Sequence, residues 1–246
     1  MIISFVIPVK DEEKNVRQLY IEIKKVMNDL IRKRCIKEFE VILVNDGSTD
    51  GTLDLCKKLV GGYRGDSKII SHMGNKGCGK CRNEAVKASG GKYVAIHDGD
   101  DVSLLNRIEK QVEFLEKNQE ISFLGGHALK INEKGESISE IMDYPPQTHE
   151  EIVNMITNKC MNPMIDPTMM FRRNAFIDSG GYGKEEKVLY VPDFDLWLRA
   201  IKKGYKFHNL QEPIIKYRVN PKGNTRRCQK EMIRQHIGIW RAFKRK

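Results

Sequence analysis

The chain opens with an unbroken apolar run, Met1 to Val9, whose length suits a buried strand. Apolar residues then recur at steps of three and four from Val16 to Leu30, which is the period of a helix with one buried face. A second apolar run, Phe39 to Val44, is followed by a shorter helical stretch that ends near Leu59. This repetition predicts strands and helices that alternate along the chain.

The alternation continues through the first hundred residues. A short strand is predicted at Lys68 to Ser71, a helix at Cys78 to Ala88 and another strand at Tyr93 to His97. Strands that are apolar at every position have both faces buried, which is typical of parallel sheets between two layers of helices. We therefore predict an α/β fold with a Rossmann-like, mostly parallel central sheet flanked by helices.

The pattern changes after residue 101, where longer extended stretches such as Ile121 to Ile131 lie between the predicted helices. No linker rich in Pro, Gly and Ser separates the two parts. We expect residues 1–101 and 102–224 to be two halves of one domain that share a sheet. Residues 225–246 are expected to form a basic C-terminal helix.

Composition narrows the class of protein. The 246 residues are 40% hydrophobic and 31% charged, as in a folded globular protein. No apolar run approaches the roughly 20 residues of a membrane span. The apolar opening lacks a basic leader and a cleavage site, so we predict a cytoplasmic chain. The six cysteines are too scattered for a disulfide scaffold or a zinc site, and we expect them to be reduced.

The net charge of +10 is concentrated at the C-terminus, where residues 225–246 hold eight basic residues and only one acid, Glu231. No nucleic-acid-binding signature accompanies this charge, so we expect no nucleic acid partner. Ile233, Ile237 and Trp240 recur at helical spacing and are expected along one side of the tail. Such a helix can dock on the domain or lie on an anionic membrane surface, and both alternatives stay open.

Polar clusters follow three of the predicted strands: Lys10 to Glu12, Asn45 with Asp46, and Asp98 to Asp101. Because the carboxyl ends of parallel strands meet at one edge of a sheet, these clusters are expected to share a crevice. The glycine-rich phosphate loops of dinucleotide-binding and P-loop proteins are absent from the sequence.

A crevice lined by carboxylates can hold a diphosphate only through a cation. Asp98, Asp100 and Asp101, which surround Gly99, suit Mg²⁺ or Mn²⁺. The alternative interpretation is a solvated turn that caps the helix beginning near Leu104.

Several segments resemble, in order, the signature segments of family 2 glycosyltransferases with the GT-A fold. They are Val6 to Val9, Val44 to Thr52, Asn75 to Asn83, His97 to Asp101, Arg107 to Gln111, Pro167 to Arg173, Gly180 to Tyr182, Asp193 to Arg199, and Tyr217 with Arg218. The resemblance covers nearly the whole chain except the tail.

The resemblance implies an inverting sugar transfer from a nucleotide-diphosphate donor. On the donor side it assigns Pro8 and Val9 to the wall of the nucleotide pocket, Asp46 to the base, Asp98 to the ribose, Asp100, with Asp98, to the metal, and Arg82 to the nucleotide loop. Asp11, Glu12 and Gly99 complete the nucleotide-sugar site. Asp11 stands where the family commonly has Asn.

On the acceptor side the resemblance makes Asp193 the catalytic base, with Asp166, Trp197 and Arg199 around the acceptor. The alternatives are that Asp193 only caps a helix after Pro192 and that Trp197 is a core anchor. Pro192 stands where a Glu usually precedes the base, and Asp166 stands where His is common. These departures make the acceptor the least transferable inference.

The sequence thus predicts a metal-dependent, hexosyltransferase-type enzyme of cell-surface polysaccharide biosynthesis. Family frequency favours a UDP-sugar as donor, Mn²⁺ or Mg²⁺ as cofactor, and a saccharide or lipid-linked acceptor, with attachment to the inner face of the membrane left open. One alternative is a sugar-1-phosphate nucleotidyltransferase, but Lys10 to Glu13 does not form the glycine-rich loop of that class. The other is a non-catalytic membrane-binding module, which would not need Asp46, Asp98, Asp100 and Asp193.

Overall fold

The computed structural model describes residues 2–61, 67–183, 185–221 and 227–245. Within them, eight α-helices are α1 (Val16–Arg32), α2 (Thr52–Gly61), α3 (Cys78–Ala88), α4 (Arg107–Lys117), α5 (His149–Thr157), α6 (Arg173–Asp178), α7 (Pro192–Lys202) and α8 (Gln229–Lys244). The strands of the same residues are β1 (Ile2–Val9), β2 (Glu38–Asp46), β3 (Ser67–His72), β4 (Tyr93–Ile96), β5 (Val102–Ser103), β6 (Ile121–Ile131), β7 (Ser137–Met142), β8 (Met170–Arg172) and β9 (Lys206–Arg218).

The described strands form one sheet in the order β3-β2-β1-β4-β8-β6-β9-β5, with β7 paired to β6. Strands β1 to β4 are parallel throughout. Val9 pairs with Asn45, and Val6 pairs with Ile96, so the carboxyl ends of β1, β2 and β4 lie at one edge. This alignment brings the loops that follow these strands together.

The second half continues the same sheet with a different pattern. Strand β8 pairs antiparallel with both β4 and β6, whereas β6 and β9 run parallel. The short β5, directly after Asp101, pairs antiparallel with β9. Because β9 ends at Arg218, this pairing brings Arg218 to the Asp98 to Asp101 loop.

Helices cover both faces of the sheet, which explains the continuously apolar strands. In β2, Ile42 and Val44 face one core cluster, while Val41 and Leu43 face another. Side chains of a strand alternate between faces, so a strand buried on both sides is apolar at every position. The expected α/β class, with a mostly parallel central sheet flanked by helices, is confirmed.

Helix α8 docks on the domain, which is one of the two alternatives left open for the tail. The ring of His236 stacks on Phe194 with centroids 3.7 Å apart, and Trp240 Nε1 donates to the Thr157 carbonyl at 2.8 Å. Ile233 and Ile237, which are expected along one side of the helix with Trp240, are 53% and 38% exposed, so the helix does not dock through that side. The face that docks on the domain contains the buried Gln235 and Ile239. Trp240 lies at the border of this docked face, where its indole reaches the Thr157 carbonyl, and the two isoleucines lie beyond that border.

Among the described residues, the structure contains no helix with the length and apolar character needed to cross a membrane.

Candidate active site

The loop after β4 packs directly against the end of β1. A β-carbon at Gly99 would lie 3.2 Å from Glu12 Cγ and Val9 Cγ1 and 3.3 Å from the Pro8 carbonyl oxygen. A side chain at position 99 would therefore require its neighbours to shift. The close approach places Pro8, Val9, Glu12 and Gly99 in one crevice, as expected for the clusters that follow parallel strands.

Carboxylates crowd this crevice. Burial, together with the charges of Asp98 and Glu12, raises the pKa of Asp100 to about 7. The Asp101 carboxyl accepts the Arg218 backbone N–H at 2.8 Å through Oδ1, while its buried Oδ2 has no hydrogen-bond partner among the described residues. Burial and the neighbouring Asp98 and Asp100 raise the pKa of Asp101 as well. A cation would relieve this repulsion.

Arg218 holds the Asp98 to Asp101 loop, and Arg107 holds the end of the strand that precedes it. Arg218 donates from Nε to the Asp100 carbonyl at 2.7 Å and so ties the loop to the end of β9. Arg107 is fully buried and donates from Nη2 to the Ile96 carbonyl at 2.8 Å. Burial lowers the pKa of Arg107 to about 9, and the charges of Asp101 and Asp98 oppose this shift. The loop is therefore held through its backbone.

Asp46 also binds a loop. Its carboxylate accepts the backbone N–H groups of Lys76, at 2.6 Å, and Gly77, at 3.1 Å. Gly47, with φ of +67°, lies so close to Gly74 that a β-carbon would be 2.6 Å from the Gly74 carbonyl carbon. Asp46 and Gly47 thus fix residues 74–77 against the end of β2, beside the crevice.

Asp11 joins the ends of β1 and β2. Its Oδ1 accepts the Thr49 backbone N–H at 2.8 Å, and its own N–H donates to Ser48 Oγ at 3.1 Å. Its φ is +55°, a conformation that asparagine and aspartate tolerate better than most residues. This explains locally why an aspartate can stand where the family commonly has asparagine.

Arg82, on α3, links the donor side of the crevice to the acceptor side. Its guanidinium donates to Asp98 through Nη2 and to Asp166 through Nη1, and its side chain is only 6% exposed. Asp166 also accepts the Tyr182 hydroxyl at 2.7 Å. Burial, with a contribution from Asp193, raises the pKa of Asp166 to about 7 even though Arg82 opposes the shift.

Asp193 lies in the first turn of α7 and is half-buried. Its Oδ2 accepts the side-chain amide of Asn162 at 2.7 Å. Tyr144 lies close enough that burial and the charge of Asp193 raise the pKa of the tyrosine to about 12. A carboxylate in this position, with access to solvent, can accept a proton from a bound hydroxyl.

Trp197 and Arg199 support the acceptor side from within the protein. Trp197 is fully buried, and its ring meets Phe123 edge-on at 5.6 Å. Arg199 donates to Asp195 and to the carbonyls of Ser179 and Gly181. Trp197 is thus a core anchor, and the guanidinium of Arg199 bonds neighbouring segments of the same protein.

Three residues of the crevice were not among the predicted site residues: Asn162, Tyr182 and Arg218. Tyr182 and Arg218 do lie in segments that carry the family resemblance, but no local pattern indicates their partners. Asn162 lies 31 residues from Asp193, in a stretch with no periodic or motif signal. Only the tertiary structure brings them to the crevice.

In the parts of the chain that the structure describes, no group of three or more His, Cys, Asp or Glu side chains is arranged to hold a metal ion. The crevice does fit a cation that needs fewer protein ligands. The buried carboxyl of Asp100 lies beside the charges of Asp98 and Glu12, and a bound cation would offset their repulsion. Mg²⁺ and Mn²⁺ often take one or two carboxylates and complete their shell with phosphate oxygens and water.

The chain belongs to the family described as glycosyl transferase family 2, whose profile matches residues 4–180. Asp193 and α8 lie beyond the matched residues. The predicted donor-side residues, from Pro8 to Asp100, therefore lie inside the matched residues, whereas the candidate base lies outside them.

Curated relatives agree with this assignment. The chain is 33% identical over 215 residues to EpsE of Bacillus subtilis, named as a glycosyltransferase, covering 87% of this chain and 75% of EpsE. It is 30% identical over 203 residues to WfaP of Escherichia coli, covering 81% of this chain and 73% of WfaP. WfaP is named as a UDP-Glc:α-D-GlcNAc-diphosphoundecaprenol β-1,3-glucosyltransferase.

Solved structures agree on the fold. The Staphylococcus aureus protein TarS, in complex with UDP-GlcNAc, matches with a TM-score of 0.66 and 20% identity, covering 89% of this chain and 59% of that chain. The mannosyltransferase PcManGT of Pyrobaculum calidifontis, in complex with GDP-Man and Mn²⁺, matches with a TM-score of 0.69 and 15% identity, covering 97% and 64%. The chain thus has the GT-A fold and spans about three fifths of these proteins.

Proposed function

We propose that the protein is an inverting, hexosyltransferase-type enzyme that moves a sugar from a nucleotide-diphosphate donor to a hydroxyl of a saccharide or lipid-linked acceptor. The observation that carries the proposal is the crevice itself, in which Arg82 joins the carboxylate of Asp98 to Asp166, the neighbour of Asp193. One continuous site thus offers a donor side and a proton acceptor.

On the donor side, Pro8, Val9, Asp11 and Glu12 would line the nucleotide, with Asp46 and Arg82 holding the surrounding loops. UDP is the nucleotide we favour, because WfaP is named for UDP-Glc and TarS was solved with UDP-GlcNAc. The name of WfaP also contains a lipid-linked acceptor, α-D-GlcNAc-diphosphoundecaprenol, which favours a lipid-linked saccharide as acceptor and a role in cell-surface polysaccharide biosynthesis.

Asp100 and Asp98 are the residues that would hold Mn²⁺ or Mg²⁺. The bound ion would stabilise the charge of the departing diphosphate, so that no protein acid is needed to protonate it. The complex of PcManGT with Mn²⁺ supports this choice of cofactor. Gly99 lets the loop that carries these carboxylates pack directly against the end of β1, beside Val9 and Glu12.

On the acceptor side, Asp193 would take the proton of the attacking hydroxyl. The hydroxyl oxygen forms a bond to the anomeric carbon from the face opposite the diphosphate, the bond to the diphosphate oxygen breaks, and the nucleoside diphosphate leaves. One general base suffices for this reaction, whereas glycoside hydrolysis needs two carboxyl groups.

The reaction is tested by incubating the protein with UDP-sugars and Mn²⁺ and measuring release of UDP. Slow hydrolysis that disappears with a chelator is expected, together with a rise in melting temperature when UDP and Mn²⁺ are both present. Release of pyrophosphate from a nucleoside triphosphate and a sugar phosphate would instead identify a nucleotidyltransferase. No turnover with any nucleotide would favour a non-catalytic binding module.

Peripheral attachment to an anionic membrane is part of the proposal, and the outer face of α8 would carry it. Lys230, Arg234 and Arg241 are exposed there together with Ile233 and Ile237. Each basic residue near an anionic leaflet contributes about 1 kcal/mol, and the isoleucines add apolar contact.

The attachment is tested by sedimentation with vesicles that contain phosphatidylglycerol. We expect binding at low salt, release at high salt and a clear loss of binding in the double variant Ile233→Ser with Ile237→Ser. Equal sedimentation of this variant and the wild type, or the absence of any binding, would make α8 an ordinary packing helix.

A further inference from the structure

The candidate base has a side-chain partner that the proposed function does not use. Asn162 Nδ2 donates to Asp193 Oδ2 at 2.7 Å, while Asn162 Oδ1 accepts the Met164 backbone N–H at 3.2 Å. The two bonds together determine which way the amide points, because only this orientation satisfies both. Asn162 is thus held by its own turn and presents a donor to the carboxylate.

This contact acts on one of the two carboxylate oxygens. With Oδ2 bonded to the amide, Oδ1 is the oxygen left to receive a proton. Asp166, Tyr144 and His236 lie near enough to Asp193 for its charge to raise their pKa values. In the described residues, Asn162 is the one side chain with a direct hydrogen bond to Asp193.

Helix α8 supports both segments that meet at this bond. On the Asn162 side, Trp240 donates to the Thr157 carbonyl at 2.8 Å. On the Asp193 side, the His236 ring stacks on Phe194 at 3.7 Å.

The same helix also holds the segment that precedes Asp193. Gln235 accepts the Tyr190 N–H at 2.9 Å and donates to the Glu186 carbonyl at 3.0 Å. The residues before Asn162 and those around Asp193 thus rest on one helix, which limits their relative movement.

We propose that Asn162 is a positioning residue for Asp193: its amide fixes the carboxylate so that Oδ1 faces the acceptor hydroxyl. The inference rests on the proposed function, because it assigns a partner to the proposed base. Hydrogen bonds to charged groups are strong enough to align a catalytic group, and small displacements of such a group are costly to rate.

The test uses the variant Asn162→Asp. An aspartate keeps the oxygen that accepts the Met164 N–H but replaces the donor by a second acceptor, so it removes the bond to Asp193 and places a like charge beside the carboxylate. We expect kcat for transfer to fall by about 10-fold or more, while the KM for donor and the melting temperature change little. The matched control is Asn154→Asp, which makes the same chemical change on the exposed surface of α5 and should leave transfer unchanged.

A double-mutant cycle separates positioning from a purely structural role. In an Asp193→Asn background, Asn162→Asp should cost less than about 2-fold, because the base that it orients is gone. An equal loss in both backgrounds would overturn the proposal, as would full activity of Asn162→Asp. Asn162→Ala, which adds no charge, provides the same cycle if Asn162→Asp folds poorly.

The two proposals fail in different ways. If Asp193→Asn transfers sugar normally, the base assignment is wrong and the positioning role is lost with it. If Asp193→Asn is inactive while Asn162→Asp is fully active, only the positioning role is wrong.

Discussion

The donor side and the acceptor side of the crevice are constructed differently. The carboxylates of the donor side lie at the ends of β1, β2 and β4 or in the loops that directly follow them, so each lies next to a strand of the parallel sheet. The acceptor side takes Asp166 from a short 3₁₀ turn, Asp193 from α7 and Asn162 from the turn after α5, and it rests on α8. The sheet positions the first side, whereas packing between distant segments positions the second.

This difference matters for specificity. Loops at the ends of parallel strands are held in place by the hydrogen bonds of the sheet. Such fixed loops suit the binding of a donor that is shared by many members of a family. Segments assembled by tertiary packing can change without disturbing the sheet. The family match ends at residue 180, so Asp193 lies outside the matched residues, whereas Asn162 and Asp166 lie inside them.

The largest effect is expected on the donor side, from Asp100→Asn. This variant keeps the shape of the side chain but removes its charge, so Mn²⁺-dependent donor binding and turnover should be abolished. Thermal unfolding without ligands should be unchanged or slightly improved, since burial disfavours the charged carboxylate. The exposed Asp54→Asn on α2 is the control, and retention of wild-type metal dependence in Asp100→Asn would contradict the donor-side assignment.

On the acceptor side, Asp193→Asn should reduce transfer by roughly 100-fold or more, the usual scale for loss of a general base. Donor and metal affinity should be retained, which would show that the two sides act separately. Asp195→Asn is the matched control, because Asp195 lies on the same helix but bonds Arg199. A larger loss in the control than in Asp193→Asn would move the base to Asp195.

Asp166 should make the free energy of unfolding depend on pH. Its pKa is raised to about 7, above the ordinary value of 3.8, so between these pH values the folded state binds more protons than the unfolded state. Stability should therefore fall as the pH rises from about 4 to about 7. Each unit of pKa difference corresponds to about 1.4 kcal/mol.

The variant Asp166→Asn isolates this contribution, because an amide resembles the protonated carboxyl. Urea denaturation should show the smallest difference between variant and wild type at about pH 4, and a variant that becomes more stable than the wild type as the pH rises, by about 1 kcal/mol or more at pH 8. A variant that is less stable than the wild type at pH 8 would show that the ion pair with Arg82 outweighs the cost of burial.

The smallest effect is expected on the outer face of α8. Ile237→Ser should change the free energy of unfolding by no more than about 0.5 kcal/mol, as is usual for exposed positions. Ile239→Ser, two residues further on the same helix, should cost about 2 kcal/mol or more, because Ile239 is buried in the core. Equal costs in thermal or urea denaturation would mean that α8 docks through a different face.

Much of the donor side could be predicted from the sequence. The apolar strands with polar residues directly after them indicated the sheet, its edge and the crevice, because a parallel sheet brings such loops together. The packing of Gly99 against Glu12 and Val9 agrees with that expectation. The hydrogen bonds of Asp46 to the backbone of Lys76 and Gly77 could not be predicted, because they depend on how the loop after β3 folds back.

The tail shows the limit of periodicity. Helical spacing predicted α8, but it could not show where the docked face ends, because Trp240 and the two isoleucines lie on neighbouring rows of the same helix. The domain surface determined that boundary by offering the Thr157 carbonyl to Trp240 and the Phe194 ring to His236. A face is buried only when a complementary surface meets it.

By itself, the sequence determined the α/β class, the alternating strands and helices of the first hundred residues and the carboxylates that follow β1, β2 and β4. These features depend on local periodicity and on the geometry of parallel strands, which short stretches of chain encode. Only the tertiary structure decided that Arg82 bonds both Asp98 and Asp166, although 84 positions separate Arg82 from Asp166. The same holds for the contact between Asn162 and Asp193. Those contacts depend on how helices and loops pack on the sheet, and no periodic pattern records the packing of segments that are distant in sequence.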